Sequence, residues 1–496
     1  MDRISDVYSA DTFAKLSQVW QATISEHMSR VLAGDGKVLN WIDPSTAVAK
    51  AESFLTANES PAPDTLESRS RKFGSLLQTM LAHGQNLHHP HYIGHQVPAS
   101  APAAGLFDAV GSVTNQPMAI FEMGPWGTAV EIALIRALCC KVGWNADAST
   151  GVLTHGGSLA NLTALLTARN IAFRDSWKTG VPSGAVLIAH SDAHYCIARS
   201  AGILGLGTQQ VVRAELDHRR RMDPDRLEHT IREQRRRGKS IMAVVACSCA
   251  TPIGAFDPLP QIADVCERNN VWLHVDAAHG GATLMSRRHR HLMSGCDRAD
   301  SIVWDAHKML FVPALCAAVL YRDKASSFQT FQQDAPYLFD PSRPGDAEFD
   351  SGTRTFECTK RSTGFGLWGL WSLYGEQLFE DLVDRTFHLA ELLHARLTAS
   401  DDFEPLHTPE ANIVVFRHLP DRLRTASPEA QNLYQKQLRA AIIQSGRFYV
   451  VQTTIDGVTA LRTTVMNPLT TENDLSELLE TIRELGSGIV PAIEQH

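Results

Sequence analysis

Between positions 151 and 321 short apolar runs alternate with stretches of helical spacing, and this alternation limits the fold more than any other feature of the chain. The runs at 186–189, 210–212, 242–246, 271–275, 301–304 and 316–321 are mostly apolar at consecutive positions, and 271–275 is rich in β-branched residues. That is the pattern of strands buried on both faces. Helical spacing lies between them, for example from Pro258 to Asn269. Strand–helix alternation specifies a mainly parallel sheet covered by helices on both sides, because parallel neighbours need a crossover that the helix provides. The G-x-G-x-x-G fingerprint is absent after the first strand, so a dinucleotide-binding variant is not expected.

In open α/β sheets, ligand groups gather just past the carboxyl ends of the strands. Lys308 lies there, after the 301–304 run and beside His307. A lysine among apolar neighbours is poorly solvated, which disfavours the ammonium. The neutral amine that results is the form that makes a Schiff base with an aldehyde. An isolated lysine after a strand would otherwise be a surface residue, so its upstream company matters. Asp276 ends the 271–275 run, and a carboxylate at that depth needs a cationic partner. The protonated ring nitrogen of pyridoxal phosphate is suitable, and such a pair keeps the ring electron-poor. Ala278 is small enough to leave room for a flat ring; the competing reading of Asp276 is a cap on the next turn. Gly156-Gly157-Ser158 opens a helical run at 159–169 and offers backbone N–H groups and a hydroxyl to a phosphate, although Gly-Gly-Ser also marks ordinary turns. His194, in the loop after the 185–190 run, could stack on a ring face or could lie on the surface.

Taken in order, these pieces resemble the group II amino-acid decarboxylases that use pyridoxal 5'-phosphate, a family that includes glutamate, aromatic amino acid, histidine and diaminobutyrate decarboxylases. The resemblance runs from about His89-Pro90 to the C-terminus. It rests on Gly-Gly-Ser at 156–158, Asp-Ala-His at 192–194, His-Val-Asp-Ala-Ala at 274–278 and His307-Lys308. It implies that Lys308 is the Schiff-base lysine, that Asp276 pairs with the ring nitrogen and that His194 stacks on the ring. It also implies that Gly157, Ser158 and His307 hold the phosphate, that Thr251 approaches the ring's O3' side and that Ala278 lies under the ring. The expected fold is α/β of the fold-type I class of pyridoxal-phosphate enzymes: a mainly parallel seven-stranded sheet with helices on both faces, plus a small C-terminal α+β domain.

Composition narrows the class of partners. The 496 residues are too many for one simple core and suggest two to four domains. A net charge of −8 argues against nucleic acid as the main partner. The arginine clusters at 219–221 and 235–237 are interleaved with acidic residues and read as a solvated face. No apolar run is long enough to span a bilayer, and the first residues carry no secretory signal, so a cytoplasmic protein without a membrane is expected. Nine cysteines form no disulfide framework; Cys139-Cys140 and Cys247-Ser248-Cys249 read as core residues.

Outside the central sheet the pattern changes. Residues 1–80 read as helices that, by the resemblance, pack on a partner subunit. Residues 81–375 form the large cofactor-binding domain and 376–496 the small domain. The stretch from 81 to 96 holds five histidines, but without an HExxH or paired cysteines no metal is expected. The resemblance instead makes His95 and Gln96 contacts to the substrate side chain, and Arg462 a contact to a substrate carboxylate; a strand arginine in a surface ion pair is the competing reading. Trp126 could add bulk at the mouth of the site, while Glu131 reads as plain helix packing.

The long polar segment 326–360 matches the family's mobile loop, whose tyrosine protonates the carbon left when CO2 departs. Aligned without a gap, this chain has Phe349 there, and phenylalanine cannot donate a proton. Tyr337 lies nearby and could substitute. The expected activity is therefore decarboxylation of an L-amino acid to its amine by a homodimer with active sites at the interface. The alternatives are oxidative deamination to an aldehyde, or another reaction of the fold such as transamination.

Overall fold

Six apolar runs of the sequence fall on strands in the computed structural model, which describes residues 3–56, 65–331 and 348–493. The strands are β1 (Thr150–Thr154), β2 (Ala185–His190), β3 (Val211–Ala214), β4 (Ser240–Cys247), β5 (Trp272–Asp276), β6 (Ser301–Asp305) and β7 (Ala317–Tyr321). They form one seven-stranded sheet in the order β1-β7-β6-β5-β4-β2-β3. β2 to β6 run parallel, and β7 is antiparallel to both its neighbours. β1 was not among the apolar runs. It is short, begins with Thr and Gly, and is buried because it pairs along its whole length with β7.

Burial explains the continuous apolar runs. Every residue of β2, β6 and β7 is buried. The Gly157–Ala172 helix places Leu162, Leu165 and Leu166 against Leu187, Ala189 and Val245, and Ala160 and Ala164 against Val303 and Val319. Val186 and Ile188 are equally buried and point to the opposite face of the sheet. Burying a leucine such as Leu165 contributes about 1.5–3 kcal/mol, so this helix is held chiefly by its packing on the sheet.

The chain divides into two compact units. One comprises Gln96–His394 with His407–Val414 and contains the seven-stranded sheet. The other comprises Met1–His95, Ala395–Leu406 and Val415–His496. A second, antiparallel sheet has the order β8-β9-β11-β10, with β8 at Phe403–Pro405, β9 at Ile413–His418, β10 at Val451–Ile455 and β11 at Val458–Thr464. Asp456 and Gly457, both at positive φ, make the tight turn between β10 and β11. The sequence suggests a strand over 448–452, but β10 starts at Val451. Phe448 stacks on His91 at 3.9 Å, and Tyr449 bonds to the carbonyl of His91, so these residues pair with the 91–93 segment.

The histidine-rich stretch is used for packing. His89 Nε2 lies 2.9 Å from the Gly34 carbonyl, and His91 Nε2 lies 3.0 Å from Asp474. Among the described residues no group of three or more His, Cys, Asp or Glu side chains could hold a metal ion, and no described helix is long and apolar enough to cross a membrane. Cys139, Cys247 and Cys249 are buried, but Cys140 is exposed and is not a core residue. It sits on the solvent side of the Pro125–Val142 helix, next to the buried Cys139.

Candidate active site

β1, β2, β4, β5 and β6 share one direction and end at one edge of the sheet. A cavity of about 340 Å3 lies at that edge. Each strand end supplies part of its wall: His155 to Ser158 after β1, His194 and Cys196 after β2, Cys249 to Thr251 after β4, Asp276, Ala278 and His279 at β5, and Asp305, His307 and Lys308 at β6. Residues 110 or more positions apart thus meet because parallel strands deliver their carboxyl ends to the same place.

The β1 corner is built for a close approach. Gly156 has φ +108°, which a side chain would strain. At Gly157 an added Cβ would stand 2.7 Å from Asp305 Oδ2, so the helix start and the carboxylate occupy all the space between them. The first N–H groups of a helix have no carbonyl partner within it and can face an anion. Ser158 adds an exposed hydroxyl beside them. Asn161 donates from Nδ2 to the Gly157 carbonyl at 2.9 Å and accepts from His274 at 2.8 Å. His274 also meets Ser301 Oγ at 2.8 Å. This chain ties the first turn of the helix to β5 and β6. Burial pushes the His274 imidazole down to about 4, so it stays neutral.

The floor of the cavity carries the charged groups. Asp276 is buried, and its Oδ1 accepts the Ala278 N–H at 3.2 Å. Lys308 Nζ lies 3.5 Å from Asp305 Oδ2. His307 Nδ1 is 2.9 Å from the Cys316 carbonyl, which fixes the ring, and its Nε2 is 3.7 Å from Asp305. His194 is held by the Cys196 N–H, 3.3 Å from Nδ1. Burial lowers its proton affinity, opposed by Asp276 and aided by Lys308 and Arg199, so a neutral ring is favoured.

The structure therefore brings Lys308, Asp276, His194, Gly157, Ser158, Thr251, Ala278 and His307 onto one cavity, together with Gln96. It does not bring Phe349 there: this ring is exposed and packs edge-on against Phe121 at 5.9 Å. Tyr337 lies outside the described residues. Trp126 is exposed and meets Trp368 edge-on. His95 and Arg462 belong to the other unit. Burial, with Arg462 and Arg439 nearby, lowers the His95 pKa. Arg462 is 5% exposed, which excludes the surface ion pair considered from sequence. Glu131 forms a buried pair with Lys360 at 2.7 Å, and Lys360 also donates to the Leu153 carbonyl.

Sequence reasoning passed over two groups. Asp305 is one, although an acidic residue closing a mostly apolar run is itself a signal. His155 lines the cavity and its Nδ1 meets Glu357 at 2.9 Å; nothing local links residues 202 positions apart.

The model for the pyridoxal-dependent decarboxylase conserved domain matches residues 55–419. Among solved structures, mouse CSAD is similar at 28% identity with a TM-score of 0.85, covering 96% of this chain and 99% of that one. Oryza sativa TDC with PLP and tryptamine has 21% identity and a TM-score of 0.87, over 97% of this chain and 99% of that one. Rhodiola rosea 4-hydroxyphenylacetaldehyde synthase has 18% identity and a TM-score of 0.84, with the same coverage. The last two likenesses show the shared fold and nothing finer.

Proposed function

Because the chain belongs to the pyridoxal-dependent decarboxylase family, we propose that it converts an L-amino acid to its amine and CO2, with Lys308 holding the cofactor. The enzyme is a carboxy-lyase dependent on pyridoxal 5'-phosphate. The observation that carries the finer reading is the convergence of Lys308, Asp276, His194 and the Gly157–Ser158 helix start on one cavity.

The residues present fit that cofactor. The cavity has a buried carboxylate at β5, a glycine cradle that a Cβ would fill and a buried carboxylate oxygen, Asp305 Oδ1, with no partner among the described residues. Lys308 would be the amine that holds the aldehyde, and Asp276 would hold the proton at the ring nitrogen. Gly157, Ser158 and His307 would hold the phosphate. His194 would stack on the ring, Ala278 would leave room for it, and Thr251 would approach its oxygen. Pyridoxal phosphate supplies an electron-accepting ring that receives the electron pair of the breaking Cα–carboxylate bond. Asp276 favours that flow by keeping positive charge at the ring nitrogen. A neutral His194 would pack against such a ring without repelling that charge. Gln96 also lines this cavity, and we assign it to a contact with the substrate side chain.

Phe349 motivates a second reading. Its ring cannot return a proton to the α-carbon, and general-acid help is worth about two to four powers of ten in rate. A slow reaction with dioxygen could then compete and give the aldehyde. Large apolar side chains on the N-terminal helices are exposed, including Val7 at 72% and Leu55 at 87%, which supports a partner subunit covering residues 1–80.

One set of measurements on the purified enzyme tests these readings. Its mass in solution should be that of two chains. Borohydride reduction and peptide mapping should put the pyridoxyl group on Lys308; a label on another lysine removes the assignment. Across the common amino acids, one amine per CO2 without oxygen uptake supports the amine product. Peroxide formation that falls in Phe349→Tyr, with amine rising, overturns it in favour of the aldehyde.

A further inference from the structure

Asp305 is the last residue of β6 and is buried, with side-chain exposure of 2%. Its backbone N–H bonds to the Ala278 carbonyl, which fixes the strand end. One carboxylate oxygen, Oδ1, has no partner among the described residues. The other, Oδ2, faces Lys308 Nζ at 3.5 Å and His307 Nε2 at 3.7 Å. Gly157 closes the remaining side, so the carboxylate cannot swing away from the lysine without pushing the helix start. A buried charge normally has its hydrogen bonds completed, and an incomplete one beside a reactive amine points to a role in the site.

We propose that Asp305 is a positioning residue that shares one proton with Lys308 and so controls when Lys308 is a free amine. The inference rests on Lys308 being the cofactor lysine. An amine that both holds the cofactor and must yield to the substrate's amine needs its nucleophilicity switched off on release. A proton held at Nζ does this. The transfer is a plain exchange: one O–H bond at Oδ2 breaks as one N–H bond at Nζ forms, and the charge of the pair is unchanged.

The surroundings fit a shared proton. Burial raises the carboxyl's proton affinity, Lys308 and His307 pull it back and Asp276 on β5 pushes it up again. The thiols of Cys196 and Cys316 also face this carboxylate and are kept protonated by burial. His194 faces Asp276 and Lys308 and is favoured neutral. Lys308, at 3.5 Å, is the nearest group that can exchange a proton with Asp305, ahead of His307 at 3.7 Å, whose ring is held through Nδ1 by the Cys316 carbonyl. Two such groups titrate as a pair, and the pair keeps its proton to a higher pH than an isolated amine in the same surroundings.

Trace labelling of the full-length, cofactor-free chain with acetic anhydride, read by mass spectrometry on each lysine peptide, tests this. In the parent, the midpoint of Lys308 labelling against pH should lie level with or above that of the exposed lysines. Burial alone would place it below, and that result overturns the proposal without any variant. In Asp305→Asn, which keeps the shape and removes the carboxyl, the Lys308 midpoint should fall by about one pH unit or more while other lysines do not move. An unmoved Lys308 midpoint in a folded Asp305→Asn protein also overturns it. Borohydride label on Lys308 with an unmoved midpoint sinks this inference alone, whereas label elsewhere sinks the cofactor assignment.

Discussion

The two edges of the seven-stranded sheet carry cavities of opposite chemistry. The amino edge holds one of about 520 Å3, lined in part by Glu267, Trp272, Arg298, Asp300 and Arg322. Every charge there has its opposite. Asp300 accepts the Leu273 N–H at 2.8 Å and pairs with Arg322 at 2.7 Å, and Arg298 bridges Asp264 and Glu267. The carboxyl-edge cavity is smaller, yet it holds Asp305, one of whose oxygens has no partner among the described residues, and the buried Asp276, whose Oδ1 accepts the Ala278 N–H. Completeness of the polar network separates the two. Charges that are already paired have nothing left for a ligand, while buried charges left incomplete need one.

The largest expected contrast is in activity. Asp276→Ala removes the carboxylate that keeps charge at the ring nitrogen, and kcat should fall by about a hundredfold or more, the scale of losing one electrostatic stabiliser. Steady-state kinetics on the substrate that turns over checks this. Near-normal turnover would mean that the carboxyl edge is no more specialised than the amino edge.

The next effect is on stability. The His274 imidazole is held at about 4, against 6.5 in the unfolded chain. Its folded value is depressed, so the unfolded chain takes up a proton first as pH falls. Stability is full above 6.5 and is lost between 6.5 and 4, by up to about 3 kcal/mol from this residue. Urea unfolding of the parent and of His274→Gln across that range should show a steeper acid loss in the parent. Parallel curves would mean that the Asn161–His274–Ser301 chain does not fix the helix start in neutral form.

Most of the sheet and the site could be read from the chain, and the exceptions have physical causes. Buried parallel strands announce themselves by unbroken apolar runs, as at β2 and β6, and their carboxyl ends locate Asp276 and Lys308. β1 stayed hidden because its burial comes from pairing with β7, 163 positions away across the Thr154–Ala317 pair, and its own residues are mixed. Local spacing also made Lys308 a poorly solvated amine and nothing more. Only the folded chain sets Asp305 against it, because Gly157, at the start of the helix that follows β1, walls the carboxylate in. His155 with Glu357 is the same kind of long-range meeting.

The smallest effect belongs to the amino edge. Arg322→Gln leaves Asp300 with the Leu273 N–H, and burial already holds this carboxyl above the usual carboxylate range. Losing the guanidinium raises it further. A carboxyl whose folded value is raised favours the folded state in acid and opposes it once ionised. The penalty of the variant should therefore be absent at low pH and appear as pH rises through the raised value. The Arg322 side chain is 44% exposed, so solvent screens the pair and the loss at neutral pH should be about 1 kcal/mol or less. Urea midpoints followed from acid to neutral pH would show it, with kcat/KM unchanged. A tenfold fall in kcat/KM would instead show that the charges of the amino edge reach the reaction, and that completeness of pairing does not separate the two edges.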